Sequence, residues 1–98
     1  MVTVGAYLKK LRTDKGYTLK EMANTLKVDI SLISKIEKEE RSLSKDLIPE
    51  LAQLFEIDFK SLQTTLISLM VAEQYGKEEY AVESLKMAVK QLQESKWR

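Results

Sequence analysis

Four side chains within six consecutive residues carry groups that could recognise the edges of DNA bases. They are Ile30, Ser31, Ser34 and Lys35, and helical spacing brings them toward one side of a helix. Serine hydroxyls donate or accept hydrogen bonds, and the ammonium group of Lys35 can donate to guanine O6 or N7. If Ile30 faces outward, it can touch a thymine methyl group. Simple solvent exposure is the alternative for the serines, and core packing is the alternative for Ile30.

Two short helices joined by a tight turn would hold these side chains outward. Thr18 and Glu21 have the spacing of a capping box, which starts one helix, and Asp29 is a good N-cap for the next. Ala23 lies where the two helices must cross closely. Aliphatic residues would fix the second helix to the core: Val28, Ile33 and Ile36. Such a pair is the minimal device for placing one helix in the major groove of DNA.

Helical periodicity dominates the rest of the chain, which has three glycines and one proline. We expect a first helix over about residues 4–15, and further helices that begin at Ser44 and Asp58. A last helix is expected over about residues 78–94. The prediction is an all-α fold of five helices with an additional C-terminal helix. Residues 1–62 would form the DNA-binding domain, and residues 63–98 a C-terminal helical extension.

The segment from Gly5 to Leu62 resembles the helix-turn-helix domain of the lambdoid phage repressor and Cro family, also called the XRE family. The shared motifs are T-x-x-E-x-A from Thr18, V-D-x-S-x-I-S-x-I-E from Val28, Arg41, and L-I-P-E-L-A-Q-L-F-E-I-D from Leu47. The resemblance implies a five-helix repressor-like domain that binds operator DNA, usually as a dimer. It also implies that Lys35 is at a base-reading position.

The resemblance further implies which residues contact DNA phosphates. In this family the start of the second helix and the loop after the third helix supply these contacts. The residues at those positions are Thr18, Leu19, Lys20, Lys38, Arg41, Ser44 and Lys45. Such contacts fix the register of the protein on DNA and carry no sequence information. Arg12 and Glu37 match a family ion pair that ties the first helix to the end of the third, and we assign them a structural role.

Two positions depart from the family pattern. Lys27 occupies a turn position where the family usually has glycine, and a left-handed backbone there costs about 1 kcal/mol or more for other residues. Glu39 replaces the glycine that commonly closes the third helix. Together with Glu40, it places negative charge where phosphates should run. The path of this loop and the strength of its DNA contacts therefore depend on the structure.

The C-terminal residues beyond the DNA-binding domain carry apolar stripes that are too rich to face water. We expect a homodimer interface there, formed by Leu66, Met70, Leu85, Ala88 and Leu92. Aromatic and methionine residues suited to an interface lie nearby: Tyr80, Met87 and Trp97. The alternative is that the last helix folds back as an intramolecular cap. The segment has a weaker similarity to small regulators found beside restriction–modification genes.

Composition excludes several classes of chemistry. The chain has neither cysteine nor histidine, which removes the commonest zinc ligands and the usual nucleophile–histidine relays. We therefore expect no enzyme, no metal, no cofactor and no small-molecule substrate. The apolar run Leu66 to Ala72 is too short to span a membrane, and no signal peptide is evident. With no disulfide possible, the cytoplasm is the expected compartment.

The prediction is a sequence-specific transcriptional regulator that occupies a palindromic operator on double-stranded DNA as a homodimer. Net charge gives this no support, because the chain carries only +1, and residues 1–57 hold ten Lys/Arg against nine Asp/Glu. A second class therefore stays open: a helical protein–protein interaction module, antitoxin-like or the partner of a regulator, with little direct affinity for DNA.

Overall fold

The computed structural model describes residues 2–94, which contain six α-helices and no β-strand. The all-α prediction with an additional C-terminal helix is confirmed. A short 3-10 turn over Lys45–Leu47 precedes the fourth helix. Trp97, one of the predicted interface residues, lies outside the described residues. The helices are α1 (Val4–Asp14), α2 (Leu19–Leu26), α3 (Ile30–Glu37), α4 (Ile48–Phe55), α5 (Phe59–Tyr75) and α6 (Ala81–Gln93).

Polar side chains start several of these helices. The Asp58 carboxylate accepts a hydrogen bond from the backbone N–H of Ser61 at 3.0 Å, so Asp58 caps α5 as expected. The prediction that Ser44 caps the fourth helix is wrong. Its hydroxyl accepts from the N–H of Asp46 and starts the 3-10 turn instead. Helix α4 begins at Ile48 and has Pro49 in its first turn, where the missing N–H leaves no bond unmade.

The first four helices end in the same backbone motif. In each, a residue with positive φ follows the last turn, and the next N–H bonds to the carbonyl five residues back. This is the Schellman motif, which satisfies carbonyls at the helix end. Glycine fills the left-handed position only after α1. The four residues and their φ angles are Gly16 (77°), Lys27 (58°), Glu39 (64°) and Glu56 (54°).

One apolar core joins α1 to α5. Its fully buried large side chains come from four of these helices and are Leu8, Met22, Ile48, Leu51, Phe55, Leu62 and Leu66. The predicted boundary between residues 62 and 63 falls inside α5, and Leu66 beyond it belongs to this core. Leu66 therefore offers no surface to a second chain. The platform that supports α3 extends through the first half of α5.

The far end of α5 also holds the start of α1. The Glu73 carboxylate accepts a hydrogen bond from the backbone N–H of Val4 at 2.8 Å, across 69 positions of the sequence. The N-terminal end of a helix carries unsatisfied N–H groups and partial positive charge, so a carboxylate is favourable there. This contact closes the helical bundle between its first and fifth helices.

Helix α6 stands apart from that core, and none of its residues is buried. It starts three residues later than the sequence predicted. Ala81 and Leu85 are half-buried, whereas Val82, Val89 and Leu92 are 62%, 53% and 59% exposed. A fold-back of α6 as an intramolecular cap would cover these side chains, and the structure leaves them open. No helix within residues 2–94 has the length and apolarity needed to cross a membrane.

Candidate nucleic-acid interface

Helices α2 and α3 are joined by the three-residue turn 27–29. The capping box predicted for α2 is present, because the Thr18 hydroxyl accepts from the N–H of Glu21 at 3.0 Å and Glu21 accepts from the N–H of Thr18 at 2.8 Å. Hydrogen bonding from the Thr18 backbone, and then from its hydroxyl, lowers the pKa of Glu21. Lys27 takes the left-handed conformation in the turn. Ala23 is buried at the crossing, as its small size predicts.

The end of α3 is fixed against α1 by a close backbone contact. A Cβ atom on Gly5 would lie 2.5 Å from the carbonyl oxygen of Ile36 and 2.7 Å from that of Glu37. Only glycine permits this approach, since the neighbouring atoms are backbone and cannot move independently. Gly5 therefore sets how closely α3 lies on its platform.

An ion pair strengthens the same junction. The Arg12 guanidinium donates from Nε to Glu37 Oε2 at 2.7 Å and from Nη2 to Oε1 at 3.0 Å. Its Nη1 donates to the carbonyl of Tyr17 at 2.8 Å. The side chains of Arg12 and Glu37 are only 12% and 6% exposed. The hydrogen bonds to Glu37 raise the pKa of Arg12, against the opposing effect of burial.

The outer side of α3 carries all four predicted base-reading residues. Ile33 and Ile36 are buried and turn the opposite side toward the core. Ser31 and Lys35 are exposed, Ser34 is half-buried, and Ile30 is 47% exposed. Ile30 is therefore a surface residue, not a core residue. The four side chains form one surface, which we call the α3 outer face: Ile30, Ser31, Ser34 and Lys35.

The family model described as Helix-turn-helix domain matches residues 5–68. The chain belongs to this family. The match begins in α1 at Gly5 and ends within α5, so it includes the whole platform around α3. A helix-turn-helix domain indicates a DNA-binding regulator, and the family is typically non-enzymatic. No curated protein matches the chain, and no solved structure matches it either.

The start of α2 in this helix-turn-helix domain leaves donors available for an anion. Thr18 and Lys20 are exposed, and Leu19 is half-buried against the core. The capping box uses the N–H groups of Thr18 and Glu21, and the helix itself begins bonding at Met22. The N–H groups of the first two helical residues therefore have no partner within the helix. Lys20, one of these two residues, is itself exposed.

The loop after α3 carries exposed side chains of both charges. Its four predicted phosphate contacts are all exposed: Lys38, Arg41, Ser44 and Lys45. Glu39 and Glu40 are exposed between them, so the positive field of the loop is reduced. Arg41 also lines a cleft of about 360 Å³ with Glu39, Glu40 and Glu73. Within the described residues, no cluster of acidic or metal-ligating side chains is suited to a metal ion.

Three features of the site were not anticipated from sequence. Asp29 stands at the predicted N-cap of α3, but its carboxylate makes no capping hydrogen bond. Glu73 holds the start of α1, a contact between distant positions that no local motif indicates. The close approach at Gly5 had one available signal, because a glycine inside a helical pattern often marks tight packing.

The five predicted dimer-interface residues do not form one surface. Leu66 is buried in the core of its own chain, because α5 packs that side against α1 and α4. Met70 and Leu85 are half-buried, and Ala88 and Leu92 are exposed. Apolar side chains instead form a stripe along α6, the helix that carries the most exposed large apolar residues within the described part of the chain. We call it the α6 stripe, and it comprises Val82, Leu85, Ala88, Val89 and Leu92.

Proposed function

We propose that this protein is a sequence-specific transcriptional regulator of the XRE type that occupies a palindromic operator as a homodimer. The proposal rests on the α3 outer face. A hydrocarbon side chain, two hydroxyls and an ammonium group project from a helix whose other side is buried. The motif residues at Thr18, Glu21, Ala23 and Val28 to Glu37 support the XRE type.

In this proposal, α3 lies in the major groove and reads base edges. The groove is about 12 Å wide and admits one helix. Lys35 donates to guanine O6 or N7, and Ser31 and Ser34 donate or accept according to the base they meet. Gly5 and the pair Arg12–Glu37 hold the end of α3, which fixes the angle at which the outer face meets the bases.

Contacts with DNA phosphates, made by α2 and by the loop after α3, hold α3 in this position in the groove. The free N–H groups at the start of α2 and the Lys20 ammonium group contact one stretch of backbone. Lys38, Arg41, Ser44 and Lys45 contact another. Glu39 and Glu40 limit the total attraction, so one copy of the domain gains only modest affinity from charge.

A second copy supplies the rest of the affinity through α6. The α6 stripe repeats at spacings of three and four residues, which is the pattern of a helix–helix seam. No charged residue lies within the stripe, so two copies can face each other without like-charge repulsion. Two-fold pairing places two α3 helices on half-sites about 34 Å apart, one turn of DNA.

Selection from random-sequence DNA, followed by gel shifts at two salt concentrations, tests the proposal as a whole. A regulator of this kind recovers a palindromic site, and its affinity falls steeply with salt as counterions are released. Recovery of no sequence, together with a flat salt dependence, would instead identify a protein–protein interaction module that uses α6.

Lysine substitutions separate base reading from phosphate contact. Lys35→Ala should weaken binding to the selected operator by roughly 1–3 kcal/mol and leave binding to scrambled DNA nearly unchanged. Lys20→Ala is the matched control, because it removes the same charge from a phosphate position and should weaken both DNAs alike. Equal losses for Lys35→Ala on both DNAs would make Lys35 a phosphate contact.

Sedimentation tests the proposed dimer. Val89→Glu puts a charge in the middle of the α6 stripe and should convert the dimer to a monomer. Lys90→Glu changes the adjacent exposed residue outside the stripe and should leave the dimer intact. Because neither side chain is buried, both variants should keep the same fold, which circular dichroism can check. A Val89→Glu protein that stays dimeric would place the interface elsewhere.

A further inference from the structure

We infer that Ile30 reads the 5-methyl group of a thymine in each operator half-site. This inference rests on the proposed function and adds the identity of one base contact. Ile30 is a large aliphatic residue that is 47% exposed at the first position of α3. It is the only large hydrophobic residue of α2 or α3 that the structure leaves exposed.

Neither helix formation nor core packing accounts for an isoleucine at this position. A β-branched side chain is a weaker helix former than alanine, leucine or the charged residues common on helix surfaces. Core packing of α3 is already supplied by Ile33 and Ile36, both 3% exposed. The Ile30 side chain is therefore available for a partner outside the chain.

The surroundings of Ile30 favour a base edge over the phosphate backbone. Asp29 precedes it, and the Asp29 carboxylate is exposed and makes no capping bond with α3. A free carboxylate repels phosphate, and a hydrocarbon side chain gains nothing from it. Within the major groove, thymine alone of the four bases presents a methyl group. An exposed aliphatic side chain on the α3 outer face therefore matches thymine.

The position of Ile30 relative to Lys35 also gives the contact a place in the half-site. The two residues are five apart, so they are separated by about 7.5 Å along the helix axis. Base pairs are spaced by about 3.4 Å. The separation exceeds one base-pair step, so Ile30 and Lys35 should read different base pairs of the same half-site.

Removing single methyl groups from the selected operator tests the inference. Each thymine of a half-site is replaced in turn by uracil, which pairs identically with adenine and lacks only the 5-methyl group. Affinity is then measured for the unchanged protein and for Ile30→Ala. Among these single replacements, the one at the thymine that Ile30 reads should weaken binding of the unchanged protein about fourfold. This loss corresponds to about 0.8 kcal/mol for one buried methyl group. The same replacement should have no effect on Ile30→Ala.

Lys20→Ala is the control, because it weakens binding without touching the bases and should keep the full effect of uracil. If every uracil acts equally on the unchanged protein and on Ile30→Ala while operator binding persists, Ile30 does not read a methyl group. A selected half-site that contains no thymine overturns the inference as well. Failure to select any operator is a different result, since it removes the proposed function itself.

Discussion

Arg12 and Glu37 are the two nearly buried charges at the junction between α1 and α3. Their paired hydrogen bonds, at 2.7 and 3.0 Å, satisfy both carboxylate oxygens, and the third Arg12 bond reaches the Tyr17 carbonyl. A pair of this kind contributes less to stability than its removal would suggest, because much of the loss comes from the charge left behind. Its main effect is to fix where α3 ends relative to α1.

We predict that Arg12→Ala lowers the free energy of unfolding by about 3–5 kcal/mol, because it leaves the Glu37 carboxylate buried without its partner. Urea denaturation measures this loss. The double variant Arg12→Met with Glu37→Leu should recover most of it, since it removes both charges and keeps apolar volume. A double variant as unstable as Arg12→Ala would mean that the loss arises from packing and not from an unpaired charge.

Structural features that depend on one local pattern or one motif can be predicted from the sequence. The Thr18–Glu21 capping box and the buried Ala23 follow from short-range rules, and both are present. Asp29 shows the limit of such rules, because a suitable residue at the right position still makes no capping bond. Glu73 could not be predicted, since its partner lies 69 positions away and depends on how α5 packs on α1.

The helix ends are the most strained part of the element structure. Lys27, Glu39 and Glu56 all take the left-handed conformation that glycine adopts without steric cost. The departures from glycine at Lys27 and Glu39 were visible in the sequence, whereas Glu56 was not identified. Each strained end is held by the bond that closes its Schellman motif, and hydrophobic residues follow two of them: Val28 and Ile57. These contacts therefore hold the turn between α2 and α3 in one conformation, although Lys27 and not glycine occupies its left-handed position.

Lys27→Gly and Glu39→Gly should each raise the free energy of unfolding by up to about 1 kcal/mol, because relief of strain exceeds the added entropy of the unfolded chain. Thermal and urea unfolding of the single variants measure the gain. Lys9→Gly is the matched control: Lys9 is exposed within α1, and its replacement should cost about 1 kcal/mol. A loss of stability in all three variants would show that the left-handed residues carry no strain.

The whole molecule combines a packed five-helix domain with a sixth helix that adds nothing to its core. The periodicity of the sequence was enough to predict both parts and the all-α class. It could not show which side of α5 is buried, because Leu66 and Met70 repeat with the same helical spacing as the residues inside. That distinction depends on three-dimensional packing, and it restricts the proposed interface, which was expected to include both α5 and α6, to α6.

A variant that ends at Glu79 should unfold cooperatively with nearly the stability of the monomeric Val89→Glu protein, because α6 contributes no buried side chain to the monomer. A variant that ends at Asp58 should not fold. It lacks Leu62 and Leu66, and each such loss costs about 2–5 kcal/mol, against roughly 5–15 kcal/mol for a whole domain. Circular dichroism and urea titration compare the two. An unfolded 1–79 variant would show that α6 stabilises the monomer.

The hydrogen bond between Glu73 and Val4 joins the two ends of the domain, so it can form only late in protein synthesis. Domains fold while the ribosome is still adding residues, starting from the N-terminus. The helix-turn-helix pair is complete by Glu37, but the core needs Leu66, and α1 has its Glu73 contact only when that residue emerges. The nascent chain therefore contains a complete helix-turn-helix pair before the core that supports it is complete, until most of α5 has left the ribosome. Helix α6 is synthesised after α5, so in the proposed homodimer two chains would pair only after the core of each is complete.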